Sequence, residues 1–186
     1  MKDKLIWHEE SRNTVYSSPV FRVEDRYSRS PEGVLKTFTV LNAQDWAMVI
    51  PELETEKGKS FVMVRQWRHG AGELSLEFPG GVCNNGEDAE VAAARELREE
   101  TGYRGGIIEK LGVFSPNPAI MSNRIHFFLA RNLEAPLKQN LDEDEFVEVE
   151  IVPCNEVLNG LGKKPYIHAL IGTAVALYQQ RTMYQI

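Results

Sequence analysis

From Glu87 to Thr101 the chain is rich in Ala, Leu, Glu and Arg, and Gly102 follows, which is how a helix with a glycine stop is written. Glu96, Glu99 and Glu100 stand in its last turns. At about 100° per residue their carboxylates share roughly one third of the circumference. Ala89, Ala92 and Ala93 continue that face toward the N-terminus, and such small residues suit close packing on a sheet, so partial shielding of the acids is expected. Carboxylates at the negative end of the helix macrodipole are disfavoured by a few tenths to about 1 kcal/mol each, and mutual repulsion adds to this. Arg95 and Arg98 offset only part of it. A hard divalent cation with oxygen ligands is the partner that would explain the arrangement. Taken alone, a Glu-rich helix end is more often a solvated acidic surface with ion pairs.

Around this helix the pattern alternates between strands and turns. Phe21 to Tyr27 and Val34 to Leu41 read as a hairpin around Ser30-Pro31-Glu32-Gly33. Trp46 to Pro51 and Phe61 to Arg65 read as a second pair joined through Glu56-Lys57-Gly58-Lys59. Further strands are expected at Ile125 to Ala130 and Phe146 to Val152. Pro165 opens a segment in which Ile167, Leu170, Ile171, Ala174 and Leu177 recur at helical spacing. Residues before about 45 are read as a separate β subdomain.

At 186 residues, with 42% hydrophobic and 26% charged, the chain can bury a proper core and is not a disordered segment. Its net charge of −6 argues against a nucleic-acid or anionic-membrane binder, since those partners require a positive surface. No apolar run has the length of a signal h-region or a membrane span. Cys83 and Cys154 lack metal spacing and are too few for a disulfide framework, which points to a reducing, cytoplasmic setting. His8, His69, His126 and His168 show no mutual metal spacing, and Ser115 has no nucleophile-elbow context, so none of them is assigned chemistry.

The full spacing decides between the two readings of the helix. Gly81, Glu87, Arg95-Glu96-Leu97, Glu99-Glu100 and Gly102 stand at the offsets of the Nudix box, and on these residues the chain resembles the Nudix hydrolases. Tyr103 departs from the aliphatic residue usual there. The resemblance implies an α/β fold, an α/β/α sandwich with a mixed sheet over residues 46–186, preceded by a small antiparallel β subdomain over residues 1–45. It also implies a divalent ion, Mg²⁺ with Mn²⁺ as a substitute, held by Glu96, Glu99 and Glu100 with the Gly80 carbonyl, Glu99 having a catalytic part as well.

Val64-Arg65-Gln66-Trp67-Arg68 and Leu76-Glu77-Phe78-Pro79-Gly80-Gly81 are similar to the segments that lead into the box of ADP-ribose pyrophosphatases, with Trp67 where tyrosine is usual. By that resemblance Arg68 and Arg65 contact substrate phosphates, Glu77 belongs to the substrate site and Phe21 stacks on a base. Ser115-Pro116-Asn117-Pro118 and the strand from Ile125 resemble the same subfamily downstream, although Ser122-Asn123 stand where an acid is usual. Asp142-Glu143-Asp144-Glu145 lies where that subfamily carries a loop glutamate acting as general base or extra metal ligand, Glu143 being the first choice and Glu145 the second. The expected activity is hydrolysis of a nucleoside diphosphate derivative, ADP-ribose to AMP and ribose 5-phosphate, by a homodimer that exchanges its N-terminal subdomain. Another nucleotide sugar, a dinucleoside polyphosphate or an oxidised nucleotide is the alternative substrate. A non-catalytic nucleotide sensor is the alternative class, and it would be expected to lose box acids that are all present here.

Overall fold

The computed structural model describes residues 2–143 and 145–183, and these pack as two compact units. Of these, residues up to 44 and residues 115–124 form one, and residues 45–114 and those described from 125 onward form the other.

The first unit is a three-stranded antiparallel sheet, β1 (His8–Ser17), β2 (Phe21–Arg29) and β3 (Leu35–Ala43), in that order, after a short 3-10 turn at Lys2–Leu5. The expected hairpin is β2–β3, each strand running about two residues past its predicted end. β1 has no counterpart in the sequence reading. All ten of its residues are exposed, so backbone pairing with β2 defines it and no alternation of burial marks it. Residues 115–124 are tied to β3 by the backbone: Leu41 N–H donates to the Ile120 carbonyl at 2.7 Å, and Ser122 N–H donates to the Leu41 carbonyl at 3.1 Å.

The second unit is an α/β/α sandwich. Its strands are β4 (Trp46–Thr55), β5 (Gly58–Arg68), β6 (Glu73–Glu77), β7 (Gly80–Val82), β8 (Ile107–Phe114), β9 (Ile125–Arg131) and β10 (Val147–Pro153). They form one seven-stranded sheet in the order β10-β5-β4-β9-β8, with β6 on β5 and β7 on β4. The β4–β9 pair is parallel and its neighbours are antiparallel, so the sheet is mixed.

Alternation along the central strands sorts the core into two layers. Ala47, Val49, Val62, Phe128 and Ala130 face α1 (Ala89–Thr101) and meet its Ala92, Ala93 and Leu97. Met48, Ile50, Phe61, Met63, Phe127 and Leu129 face the other way, onto α2 (Cys154–Gly160) and α3 (Ala169–Met183). α1 starts two residues later than predicted because Asp88 caps it, its side chain accepting the Glu90 N–H at 2.8 Å. It ends as predicted, with Gly102 at φ 76°. Pro165 does not open α3: its carbonyl accepts the Leu76 N–H at 3.1 Å, and the helix begins four residues on.

Candidate active site

Two glycines bring strand β7 close to what surrounds it. A Cβ on Gly80 would stand 2.3 Å from the Ala47 carbonyl oxygen, so only glycine lets β7 lie this close on β4. A Cβ on Gly81 would stand 2.5 Å from Glu96 Oε1, so the glutamate's carboxylate fills the room beside it. Gly80 N–H donates to Glu100 Oε2 at 2.9 Å.

Glu96 and Glu100 belong to the same buried face of α1 as Ala92, Ala93 and Leu97, and Glu100 is only 4% exposed. Their electrostatics follow from that position. The Glu100 carboxyl is raised to about 8: burial is the main cause, the charges of Glu96 and Glu145 add to it, and the Gly80 N–H and Arg68 oppose it. Burial also raises Glu96. Its contact with Arg95 opposes the rise without cancelling it, and the carboxylates of Glu99 and Glu145 reinforce it.

Arg95 joins four acceptors. Its Nε and Nη2 each donate at 3.0 Å to the carboxylate of Glu87, and its Nη1 donates to Glu96 at 2.7 Å and to Glu99 at 3.1 Å. Nη2 also reaches the Val82 carbonyl at 3.1 Å. Glu87 lies just outside the helix as a counter-ion of Arg95, and its other contact, from the Asn84 N–H at 2.8 Å, steadies it there. Glu99 also lies 3.6 Å from Arg98.

Arg68 and Arg65 part company. They stand at positions of opposite parity on β5, so they point to opposite faces of the sheet. Arg68 shares the α1 face with Glu77, donating to it through Nε at 2.9 Å and Nη2 at 2.7 Å. Arg65 lies on the face of Leu76 and Met63 and pairs with Glu150. The structure brings Arg68 toward Glu100 and leaves Arg65 elsewhere.

The chain after β9 is fastened to the carbonyl end of α1, where a helix leaves acceptors unpaired. Leu137 N–H donates to the Gly102 carbonyl at 2.9 Å, Asn140 N–H to the Glu99 carbonyl at 3.0 Å, and Gln139 Nε2 to the Glu100 carbonyl. The acidic turn follows. Glu145 N–H donates to the Asp142 carbonyl and Asp142 N–H to the Glu145 carboxylate, each at 3.1 Å. Glu145 raises both buried acids, Glu143 is exposed, and Asp144 lies outside the described residues. Phe21, half-buried on β2, belongs to the N-terminal unit, its ring centroid 6.4 Å from that of Tyr16.

Among the described residues no three His, Cys, Asp or Glu side chains form a ready metal cage; Arg95 engages Glu96 and Glu99, and the Gly80 N–H engages Glu100. The donor set nonetheless fits a hard divalent ion. It is all oxygen, and its two most buried members are raised by desolvation, a penalty that a cation beside them relieves. A cavity of about 550 Å³ borders this network from the outer side of α1, lined by Glu87 and Arg95 together with Val91, Ala94, Arg98 and Ile108.

Sequence reasoning found the acids and Arg68 but missed two partnerships, Glu87 with Arg95 and Glu77 with Arg68. The second had a signal. Gly70 and Gly72 between two β-favouring runs mark a hairpin, and pairing across it sets Glu77 on the Arg68 face.

Residues 44–170 match the family model described as the NUDIX domain. An ADP-ribose pyrophosphatase of Bacillus subtilis is 35% identical over 132 residues, covering 70% of this chain and 71% of that protein. An ADP-sugar pyrophosphatase of Mus musculus is 32% identical over 156 residues, covering 80% of this chain and 68% of that protein. A crystal structure described as an ADP compounds hydrolase shares the fold, with a TM-score of 0.83 over 98% of both chains at 22% identity. The family match across most of the chain, and the buried box acids it contains, make this protein a member of the Nudix hydrolases, enzymes that depend on divalent metal ions.

Proposed function

We propose that this Nudix hydrolase cleaves the pyrophosphate bond of a nucleoside diphosphate derivative, converting ADP-ribose to AMP and ribose 5-phosphate. The observation that carries the reading is the buried carboxylate pair Glu96 and Glu100 beside Gly80 and Gly81, with Arg68 on the same face. The named activities of the two relatives point to ADP-ribose and ADP-sugars as the substrate class.

Glu96, Glu99 and Glu100, with the Gly80 carbonyl, are the residues we assign to hold Mg²⁺, with Mn²⁺ as a substitute. A divalent ion there supplies charge neutralisation for the phosphates and a lowered pKa for a bound water. Arg68 offers the unpaired edge of its guanidinium to a phosphate oxygen, a contact its fork geometry suits. Glu145 is the base we assign to take the water's proton, ahead of Glu143, because its charge already acts on Glu96 and Glu100. Arg65, paired with Glu150 on the other face, has no part in this site.

Phe21 as a base-stacking residue, and a homodimer exchanging its N-terminal unit, belong to the same reading. Support for the dimer is the apolar surface that unit leaves exposed, including Trp7, Tyr16, Val20, Leu35 and Phe38. Sedimentation of the purified protein at a dimer's mass is the expected result, and a monomer at micromolar concentration would exclude exchange. A cytoplasmic setting is supported by the two free cysteines, and no helix among the described residues is long and apolar enough to cross a membrane.

The activity is tested by incubating the protein with Mg²⁺ and a panel of ADP-ribose, other nucleotide sugars, dinucleoside polyphosphates and nucleoside triphosphates. AMP and ribose 5-phosphate from ADP-ribose are expected as the main products. Preference for triphosphates with ADP-ribose left intact would refute the substrate assignment.

A further inference from the structure

Glu77 is 0% exposed, and both of its carboxylate oxygens are taken by one partner, Arg68. Burial pushes its carboxyl up, and the contacts from Arg68, with smaller help from His168 and Ser75, outweigh that and leave it below its ordinary value. Arg68 is different: its side chain stays 40% exposed, and Nη1 lies outside the ion pair. A buried carboxylate is a poor stabiliser, since an apolar pair of the same volume commonly does as well or better. What the pair does provide is a fixed orientation for a guanidinium that would otherwise sample many rotamers.

The next carboxylate that acts on Arg68 is Glu100. Released from Glu77, the guanidinium would have one strong nearby attractor, the buried acid that the proposed function gives to the metal. Two cations would then compete for one carboxylate.

We infer that Glu77 is a positioning residue: by accepting from both Nε and Nη2 of Arg68 it keeps the Nη1 edge of the guanidinium turned toward substrate phosphate and off the carboxylate of Glu100. The inference rests on the reading above for the phosphate contact and the metal, yet its central test needs neither substrate nor turnover.

The experiment measures Mn²⁺ binding, by the electron paramagnetic resonance of free Mn²⁺, in the wild type, Glu77→Gln, Arg68→Ala and the double variant. Glu77→Gln should weaken Mn²⁺ by about tenfold, the scale of one misplaced charge-assisted contact. Adding Arg68→Ala to it should bring the affinity back to within about twofold of the wild type. A merely structural role for Glu77 gives no such rescue. Wild-type Mn²⁺ affinity in Glu77→Gln, or a loss that persists in the double variant, overturns the inference. Should Glu77→Gln fail to fold, Arg68→Lys keeps the charge but cannot fill both oxygens through a rigid fork. It should raise KM for ADP-ribose by about tenfold with a smaller change in kcat, and an unchanged KM would overturn the inference. If the wild type ignores ADP-ribose while the Mn²⁺ rescue is seen, the substrate reading fails and the role of Glu77 stands.

Discussion

The two faces of the central sheet treat charge in opposite ways. On the α2–α3 face the core is apolar up to its edge, where Glu52 accepts from Tyr178 and pairs with Lys59, and the arginine of β5 on that side, Arg65, pairs with Glu150, whose side chain is 36% exposed. On the α1 face the apolar packing of Ala47, Val49, Val62 and Leu97 gives way, toward the carbonyl end of α1, to buried acids and to Arg68 on fully buried Glu77. The same residue types therefore stand in opposite roles on one strand. An exposed pair is worth little either way, whereas a buried carboxylate is costly unless something answers it. The α1 face has collected such costs at one spot, and a metal-dependent hydrolase has a use for them.

Substitutions can break that contrast, and the largest effect is expected at Glu100. Glu100→Gln removes a metal ligand and should lower kcat by about a thousandfold, with the fold retained because acid repulsion is relieved. Steady-state hydrolysis with saturating Mg²⁺ measures this, and wild-type turnover would remove Glu100 from the metal set. Arg68→Ala comes next. Loss of a charge-assisted phosphate contact of about 1.5–3 kcal/mol should lower kcat/KM for ADP-ribose by roughly ten- to a hundredfold.

The third expectation concerns pH in the presence of chelator. The folded-state pKa of Glu100 is raised, from the ordinary 4.5 to about 8, so its contribution to stability is fully present below 4.5 and is lost as pH rises through 8. Glu100→Gln removes that loss. The Tm of the variant should therefore gain on that of the wild type across this window, and a constant difference would show that Glu100 is not buried as a reluctant anion. The smallest effect belongs to the other face: Arg65→Ala should change kcat/KM by less than about threefold. A tenfold loss there would erase the distinction between the faces.

How much of this was legible in the sequence depended on how local the cause was. The acidic face of α1 follows from helix geometry within thirteen residues and a glycine stop, so spacing alone finds it. The separation of Arg65 from Arg68 was also available, since a strand alternates with period two, but the resemblance grouped both with the substrate. Elements defined by pairing were not visible. β1 is exposed along its whole length, β8 has a bulge at Leu111 that breaks its alternation, and α2 is seven residues long with no side-chain cap. The proposed preference for Glu145 over Glu143 rests on its charge reaching Glu96 and Glu100, which neighbouring residues of the same type do not announce.

The backbone bonds between β3 and residues 115–124 bear on modularity. The chain leaves the catalytic unit at Phe114 and returns at Ile125, so the N-terminal unit is not a cassette bounded by one junction. A truncation that starts at residue 45 would delete Leu41 and strand the excursion, exposing the Ile120 carbonyl and the Ser122 N–H that Leu41 now satisfies. Grafting this catalytic unit into another protein, or exchanging its N-terminal sheet for a relative's, would therefore require two breakpoints, with residues 115–124 travelling with the sheet. Shuffled descendants of such a chain are expected to inherit both pieces together.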